Sequence, residues 1–553
     1  MSQLRIAGGI VHDPANGVDG DVRDVCVDSG RIVAEVSAGA PTIDARGMIV
    51  MPGGVDLHCH VAGSSVTLAR RLLPEGRDAD PAPAPALIEP GQPPRSGTGG
   101  TVPSTFTTGY RFAGLGYTTV FDAAVAPLTA RLSHAELDDT PILDAGFFVL
   151  MGNDEYLLRL VAAGERAQAR DYAAWLLGAA GGYAIKLVNP GGIERWKQNQ
   201  REPTGLDTPI GATRVTPRAI IETLVDASEA LGLPHAAHIH CNNLGAPGNA
   251  ATTLESMRAV GGRRAHFTHL QFHSYAGGSG TQEGGWRSGA REIVEYVNAH
   301  PEVSGDVGQV MFGPAATITA DAPVEYLLYK SSGRKWVNSD IELETGCGIV
   351  PHHYREQAAV AALQWVVGLE LFLLSADPWR LVLSTDHPNG GSFMSYPALI
   401  RLLMDRSYRD EQLARVNQKL VAGSALADGL AREYTLNEIA IITRAGPARL
   451  LGLGAKGHLG VGADADVTVY VPDADRARMF GTPRYVVKAG ALVVEEGQLR
   501  RASAGRRLYV RSAFDAAVTR DLKRYFDRYA TVAFANYPVR PPPNAPVPLV
   551  GER

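Results

Sequence analysis

A chain of 553 residues, 45% hydrophobic and 20% charged, can bury a large core, and its composition excludes a disordered or disulfide-framed protein. The net charge of −5 offers no broad electrostatic footprint, so neither nucleic acid nor membrane is expected as a partner and chemistry on a small molecule is. Four scattered cysteines, Cys26, Cys59, Cys241 and Cys347, form no CxxC and fit a reducing cytoplasm.

Residues 3–51 alternate short apolar runs with Gly and Asp turns, and the same texture returns over 457–508 (GHLGVGADADVTVYVP, YVVKAGALVVEEGQL). The two terminal segments, 1–51 and 455–510, are therefore expected to pair into one composite β-sandwich domain. Between them, TTVFDAA, GFFVLMG, YAIKLVN, HAAHIHC, RAHFTHLQF and LVLSTDH alternate with helical stretches such as AIIETLVDASEALG, which predicts an α/β fold with a (β/α)8 TIM-type barrel over 52–454. A Pro/Gly-rich insertion at 74–105 reads as a loop near the barrel mouth. The longest apolar stretch, 358–376, is interrupted by Gln364 and Glu370 and reads as a buried helix. Residues 511–553 read as a helix, AFDAAVTRDLKRYFDRYATVAF, followed by a proline-rich arm that grips a neighbouring protein.

The string MPGGVDLHCH ends an apolar run with His58 and His60 two apart, and strand periodicity sends both imidazoles to one face and Cys59 to the other. Two neutral imidazoles at a strand end suit zinc; two unrelated histidines at a turn are the alternative. In GGYAIKLVNPGG, Lys186 ends another short apolar strand, where burial of an ammonium is costly and its pKa falls. A neutral amine there can react with carbon dioxide to give a carbamate, whereas a snorkelling lysine would reach the barrel rim. Six of the 15 histidines fall between 235 and 273: in HIHCNN, His238 and His240 share a face, and HFTHLQFHSY brings His266, His269 and His273. LVLSTDHPNGG then delivers Asp386 at a strand end, where barrel enzymes present chemical groups; the alternative is a turn-capping Asp.

From PGGVDLHCH onward the chain resembles the amidohydrolase superfamily, close to its dihydroorotase, hydantoinase and urease branch, and the order His-x-His, Lys, His, His, Asp repeats that pattern over most of the length. The resemblance implies metal ligands His58, His60, Lys186, His240, His269 and Asp386, holding two zinc ions bridged by N6-carboxylysine at Lys186 and by hydroxide. Asp386 is also implied as the catalytic base and then acid; His238, His266 and His273 read either as structural residues or as ones that orient ligands or substrate. More narrowly, HIHCNNLGAPGN, HFTHLQFHSYAGG and KLVNPGG are similar to the A-subunit family of formylmethanofuran dehydrogenase and of the bacterial formyltransferase/hydrolase complex; hydantoinases show HAEN where this chain has HCNN.

That similarity implies hydrolysis of a formylated furfurylamine C1 carrier, formylmethanofuran or formyl-methylofuran, to formate and free carrier. The partners implied are that carrier and the other subunits of a hetero-oligomer. Substrate contacts are expected at Asn243, His273, Lys335, Trp336 and Asn338. Arg263, Arg264, Arg500, Arg501, Arg506 and Arg507 read as solvated charges or as partners for an anionic carrier tail. Three other readings stand beside this one: the reverse condensation with formate, a dihydropyrimidinase- or dihydroorotase-like cyclic amidase, and a metal-free scaffold.

Overall fold

The computed structural model describes residues 3–73, 98–198, 203–277, 286–333, 337–338, 348–502 and 504–539. Eight parallel strands follow one another in sequence order across a single sheet: β1 (Gly54–Cys59), β2 (Tyr117–Val125), β3 (Asp144–Leu150), β4 (Ala184–Val188), β5 (Ala237–His240), β6 (Ala265–Phe267), β7 (Val303–Asp306) and β8 (Leu381–Val382). The sheet curls until the end of β1 reaches the segment just past β8, where Cys59 pairs with His387 and the His60 N–H donates to the His387 carbonyl at 2.7 Å. Covered on both faces, its strands are near-continuous apolar runs; β4 is buried along its whole length and β3 along all but its last residue.

Residues from both ends of the chain build a second, nine-stranded sheet. Its two halves meet where Ile49–Pro52 pairs antiparallel with Val467–Tyr470. Ile6, Val27, Val50, Val467, Val469 and Val487 are fully buried in its core. The sheet thus leads directly into β1, two residues past Pro52.

Between β7 and β8 the chain leaves the barrel to form a small antiparallel sheet (Gly313–Thr319, Val337–Asn338, Gly348–Tyr354) and a helix, Ala322–Ser332. The sequence pattern does not separate this excursion from the barrel's own strands. The expected insertion at 74–105 lies largely outside the described residues. The helix Ala359–Leu374 is buried over most of its length, Gln364 and Glu370 included, and among the described residues no helix is long and apolar enough to cross a membrane.

The C-terminal helix, Ala517–Tyr529, turns Val518, Leu522 and Phe526 inward against its own chain. Phe534 and Tyr537 then stack on Trp175, at 5.6 and 5.9 Å, and the Val539 N–H donates to the Ala179 carbonyl at 2.7 Å. This part of the expected arm is therefore tied to its own barrel helix, Arg166–Ala180, while the proline-rich stretch from 540 lies outside the described residues.

The arginines divide. Arg507 is buried and pairs with Asp138 (2.8 Å) and the Leu137 carbonyl, while the half-exposed Arg506 pairs with the buried Asp144 (2.7 Å) and Asp464. Arg264 and Arg500 pair with Glu229 and Glu495 at 2.8 and 3.1 Å, and Arg263 with Asp226.

Candidate metal centre

All six residues of the expected ligand set line one cavity of about 810 Å³ at the C-terminal mouth of the barrel. They arrive from five strands: His58 and His60 at the end of β1, Lys186 on β4, His240 closing β5, His269 two residues past β6 and Asp386 four past β8. The last two are held in left-handed backbone, φ +35° for His269 and +49° for Asp386, a conformation that non-glycine residues adopt at a cost. Gly308, just after β7, makes their approach feasible. A Cβ there would stand 2.3 Å from the His269 Cβ and 3.5 Å from the Asp386 Cβ, and Gly308 itself has φ +64°.

The donors form two adjacent trios, His58/His60/Asp386 and His240/His269/His273. Asp386 Oδ1 lies 2.9 Å from His58 Nε2 and 3.1 Å from His60 Nε2. Two donors of one tetrahedral ion with bonds of about 2.0–2.1 Å lie roughly 3.3 Å apart, so this spacing suits a shared cation. In the second trio the rings of His240 and His269 stand 4.5 Å apart and that of His273 about 5 Å from each. His269 Nδ1 and both His273 nitrogens are buried without a hydrogen-bond partner, an arrangement that is unfavourable unless something else binds there. The residues present therefore fit a divalent metal.

Carboxylates orient the imidazoles. Asp306, at the end of β7, is the hub: it accepts from His58 Nδ1 and His266 Nε2 at 3.2 Å each, from the His269 N–H at 3.0 Å and from Ser384 Oγ at 2.9 Å. Asp122 on β2 accepts the Val61 and Ala62 N–H groups at 2.8 and 2.9 Å and lies 3.8 Å from His60 Nδ1. Asp321, from the excursion between β7 and β8, lies 2.6 Å from His240 Nε2, leaving Nδ1 as that ring's free donor atom. The sequence reading missed all three. Asp122 could have been found as a polar residue inside a buried strand; Asp306, in the short VSGD, and Asp321 carry no such signal.

Burial sets the charge states. It lowers the Lys186 ammonium to about 7, against the opposing pull of Asp306, Asp386 and Asp122. It also pushes His240, His269 and His273 well below their ordinary range, leaving neutral rings with lone pairs to offer. His60 goes the other way, to about 9, because hydrogen bonds to Asp122 and Asp386 overcome its burial. The Asp386 carboxyl is held far below the usual range: burial opposes ionisation, but the facing His58 and His269 prevail.

The expected substrate contacts divide differently. His273 belongs to the second trio. Asn243 is not among the residues lining the cavity, and its amide is engaged with Thr204, accepting from N at 2.8 Å and donating to O at 2.9 Å. Lys335 and Trp336 lie outside the described residues, as does the side chain of Asn338.

Comparison with known proteins gives the family and the fold. The family model described as "Amidohydrolase family" matches residues 41–494. Protein FwdA of Methanocaldococcus jannaschii is 43% identical over 97% of this chain and 96% of its own. The A-subunit of the formyltransferase/hydrolase complex Fhc of Methylorubrum extorquens is 41% identical over 95% of this chain and 94% of its own. In the crystal structure of that organism's FhcABCD complex with methylofuran, one chain superposes with a TM-score of 0.90 at 38% identity, covering 99% of both chains. An N-acyl-D-glutamate deacylase of Bordetella bronchiseptica shares the fold at 17% identity, with a TM-score of 0.51 over 91% of this chain and 99% of its own. The chain belongs to the amidohydrolase family, in the branch that contains FwdA and the Fhc A-subunit.

Proposed function

We propose that this chain hydrolyses the N-formyl amide of a furfurylamine-type C1 carrier, formyl-methylofuran or formylmethanofuran, releasing formate and the free amine as one subunit of a formyltransferase/hydrolase complex in the cytoplasm. One observation carries the reading: His58, His60, His240, His269, Asp386 and a Lys186 whose ammonium is lowered to about 7 line a single cavity in a chain that superposes on a chain of a methylofuran-bound complex. His58, His60, Asp386, His240, His269 and Lys186 would hold two zinc ions, which when bound supply hydroxide near neutral pH and polarise the formyl carbonyl.

The protein's own groups do the rest. The neutral Lys186 amine attacks carbon dioxide through its nitrogen lone pair and loses a proton, giving a carbamate with two oxygens to share between cations. Asp386, ionised and fixed beside His58 and His60, takes the proton of the attacking water and returns it to the departing amine nitrogen as the C–N bond breaks. Asp321 and Asp306 keep His240, His58 and the His269 backbone in place. Leu244, Phe272, Val324 and Leu328 in the cavity wall exclude water and suit a flat furan ring. We assign the hydrolytic direction because it needs only water, whereas condensation needs formate delivered from elsewhere.

The test is formate release from a formylated furfurylamine by the zinc-loaded chain together with its partner subunits, against hydantoin and dihydroorotate as competing substrates. Formate release is expected. Turnover of a cyclic amide without formate release would overturn the proposal.

A further inference from the structure

Behind His58 a row of imidazoles runs through the barrel interior and ends on a backbone carbonyl. His58 Nδ1 lies 2.9 Å from His238 Nε2, His238 Nδ1 lies 3.0 Å from His235 Nε2, and His235 Nδ1 lies 2.7 Å from the Leu450 oxygen. All three rings are completely buried. Phe148 of β3 stacks on His235 at 5.0 Å and packs against His238 at 4.7 Å, while His266 stacks on His238 at 4.7 Å, so the rings cannot swing freely.

The chemistry has one direction. A carbonyl only accepts, so His235 must carry its proton on Nδ1 and present a lone pair at Nε2. His238 must then donate from Nδ1 and accept at Nε2, and His58 in turn must donate from Nδ1. His58 is left with a lone pair on Nε2, the nitrogen 2.9 Å from Asp386 Oδ1. Asp306, an acceptor 3.2 Å from the same His58 Nδ1, demands the same tautomer from the other side, and the Thr268 hydroxyl, also in contact with that nitrogen, can turn a lone pair to it.

The anchor follows from helix geometry. Leu450 lies in the last turn of the helix Gly446–Leu451, whose terminal carbonyls lack intrahelical partners. The Gly452 and Leu453 N–H groups satisfy the Arg449 and Ala448 oxygens, which leaves that of Leu450 for His235.

We propose that His235 and His238 are positioning residues that transmit the Leu450 carbonyl to His58 as a fixed chain of Nδ1–H tautomers, so that the helix leaving the barrel presets which nitrogen His58 offers to the metal. This rests on the metal-binding role given to His58 above.

Long-range 1H–15N correlation on the metal-free full-length chain, with 15N-labelled histidine, reads each ring's tautomer directly. Protonated Nδ1 and bare Nε2 are expected for both His235 and His238; a proton on Nε2 of either ring overturns the proposal, without recourse to any variant. In the full-length protein His235→Phe should weaken zinc binding, measured by chelator competition, by about tenfold, the lower end for loss of a group that orients a ligand. His235→Gln, whose amide can donate to Leu450 and accept from His238, should recover it. Unchanged zinc affinity in the Phe variant would overturn the proposal. Correct tautomers in a wild-type chain that binds no zinc would instead sink the proposed function and leave the relay standing.

Discussion

Asp144, the first residue of β3, faces Lys456, Lys488 and Arg506 at the N-terminal end of the barrel, and Asp464 and Asp466 complete the group. Three anions meet four cations there, Arg31 joining at Asp464 at 2.7 Å. Lys456 lies 2.6 Å from Asp144 and 2.8 Å from Asp466, and Lys488 lies 2.8 and 2.9 Å from the same two carboxylates. At the opposite, C-terminal end, Asp386 and Asp306 face a crowd of imidazoles, several buried nitrogens have no partner, and Lys186 is held near neutrality. Both ends gather three or more candidate metal donors. The base carries its counter-charges on lysines and arginines and so knits the terminal segment to the barrel; the mouth offers its carboxylates imidazoles and leaves buried ring nitrogens without a partner, which suits a bound cation.

If that contrast is right, the largest effect should come from unbalancing the base. Lys488→Met leaves Asp144 and Asp466 short of a cation in a buried site, and we expect a loss of about 3–5 kcal/mol in unfolding free energy with metal content per folded molecule unchanged. Urea denaturation with zinc analysis of the native fraction checks both halves. A loss of zinc without a loss of stability would erase the distinction between the two ends.

The mouth should respond with the opposite sign. The folded Lys186 ammonium titrates at about 7 against an ordinary 10.5, so folding expels its proton between those values. Stability of the metal-free, uncarbamylated chain should therefore rise with pH from 7 to 10.5 and carry the full penalty below 7. Lys186→Met should stabilise that form on the order of 3 kcal/mol at pH 7, flatten the pH slope and abolish tight zinc binding. Thermal melts of the chelator-treated proteins across that window, with zinc titrations at pH 7, provide the measurement.

Asp386→Asn keeps shape and an oxygen donor but removes the base. Turnover of the formylated carrier at saturating substrate should fall by roughly 10² or more while zinc is largely retained, both measured on one preparation. Near-normal turnover in a fully loaded Asn variant would move the proton work to another group. The smallest effect is expected at Gly308: an added Cβ must push His269 aside, so Gly308→Ala should fold yet bind zinc about tenfold more weakly by chelator competition. Unaltered affinity would show that the His269 position tolerates displacement.

Much of the mouth was legible in the chain because its signals are local. HxH at the end of an apolar run, a lysine in YAIKLVN, and Asp386 after LVLST each combine strand periodicity with a polar residue at the strand's C-terminal end. The partners of those residues were not legible. Asp306 sits in VSGD, too short and too rich in small residues to read as a strand, and Asp321 opens a helix in an excursion with no distinguishing composition. Arg506 and Arg507 read as surface charges because nothing near them in sequence announces Asp144, 362 residues away from Arg506.

By itself the sequence determined most of the barrel strands, the face on which His58 and His60 stand, and the set of donor types, since each depends on the geometry of a few consecutive residues. Only the tertiary structure decided which atoms meet: His58 finds His238 across 180 residues and Asp306 across 248, and His273 joins the second trio instead of the cavity wall. Those pairings come from the closure of the barrel, which brings strand ends together regardless of their separation along the chain, and burial then turns each chance of contact into a requirement for a partner.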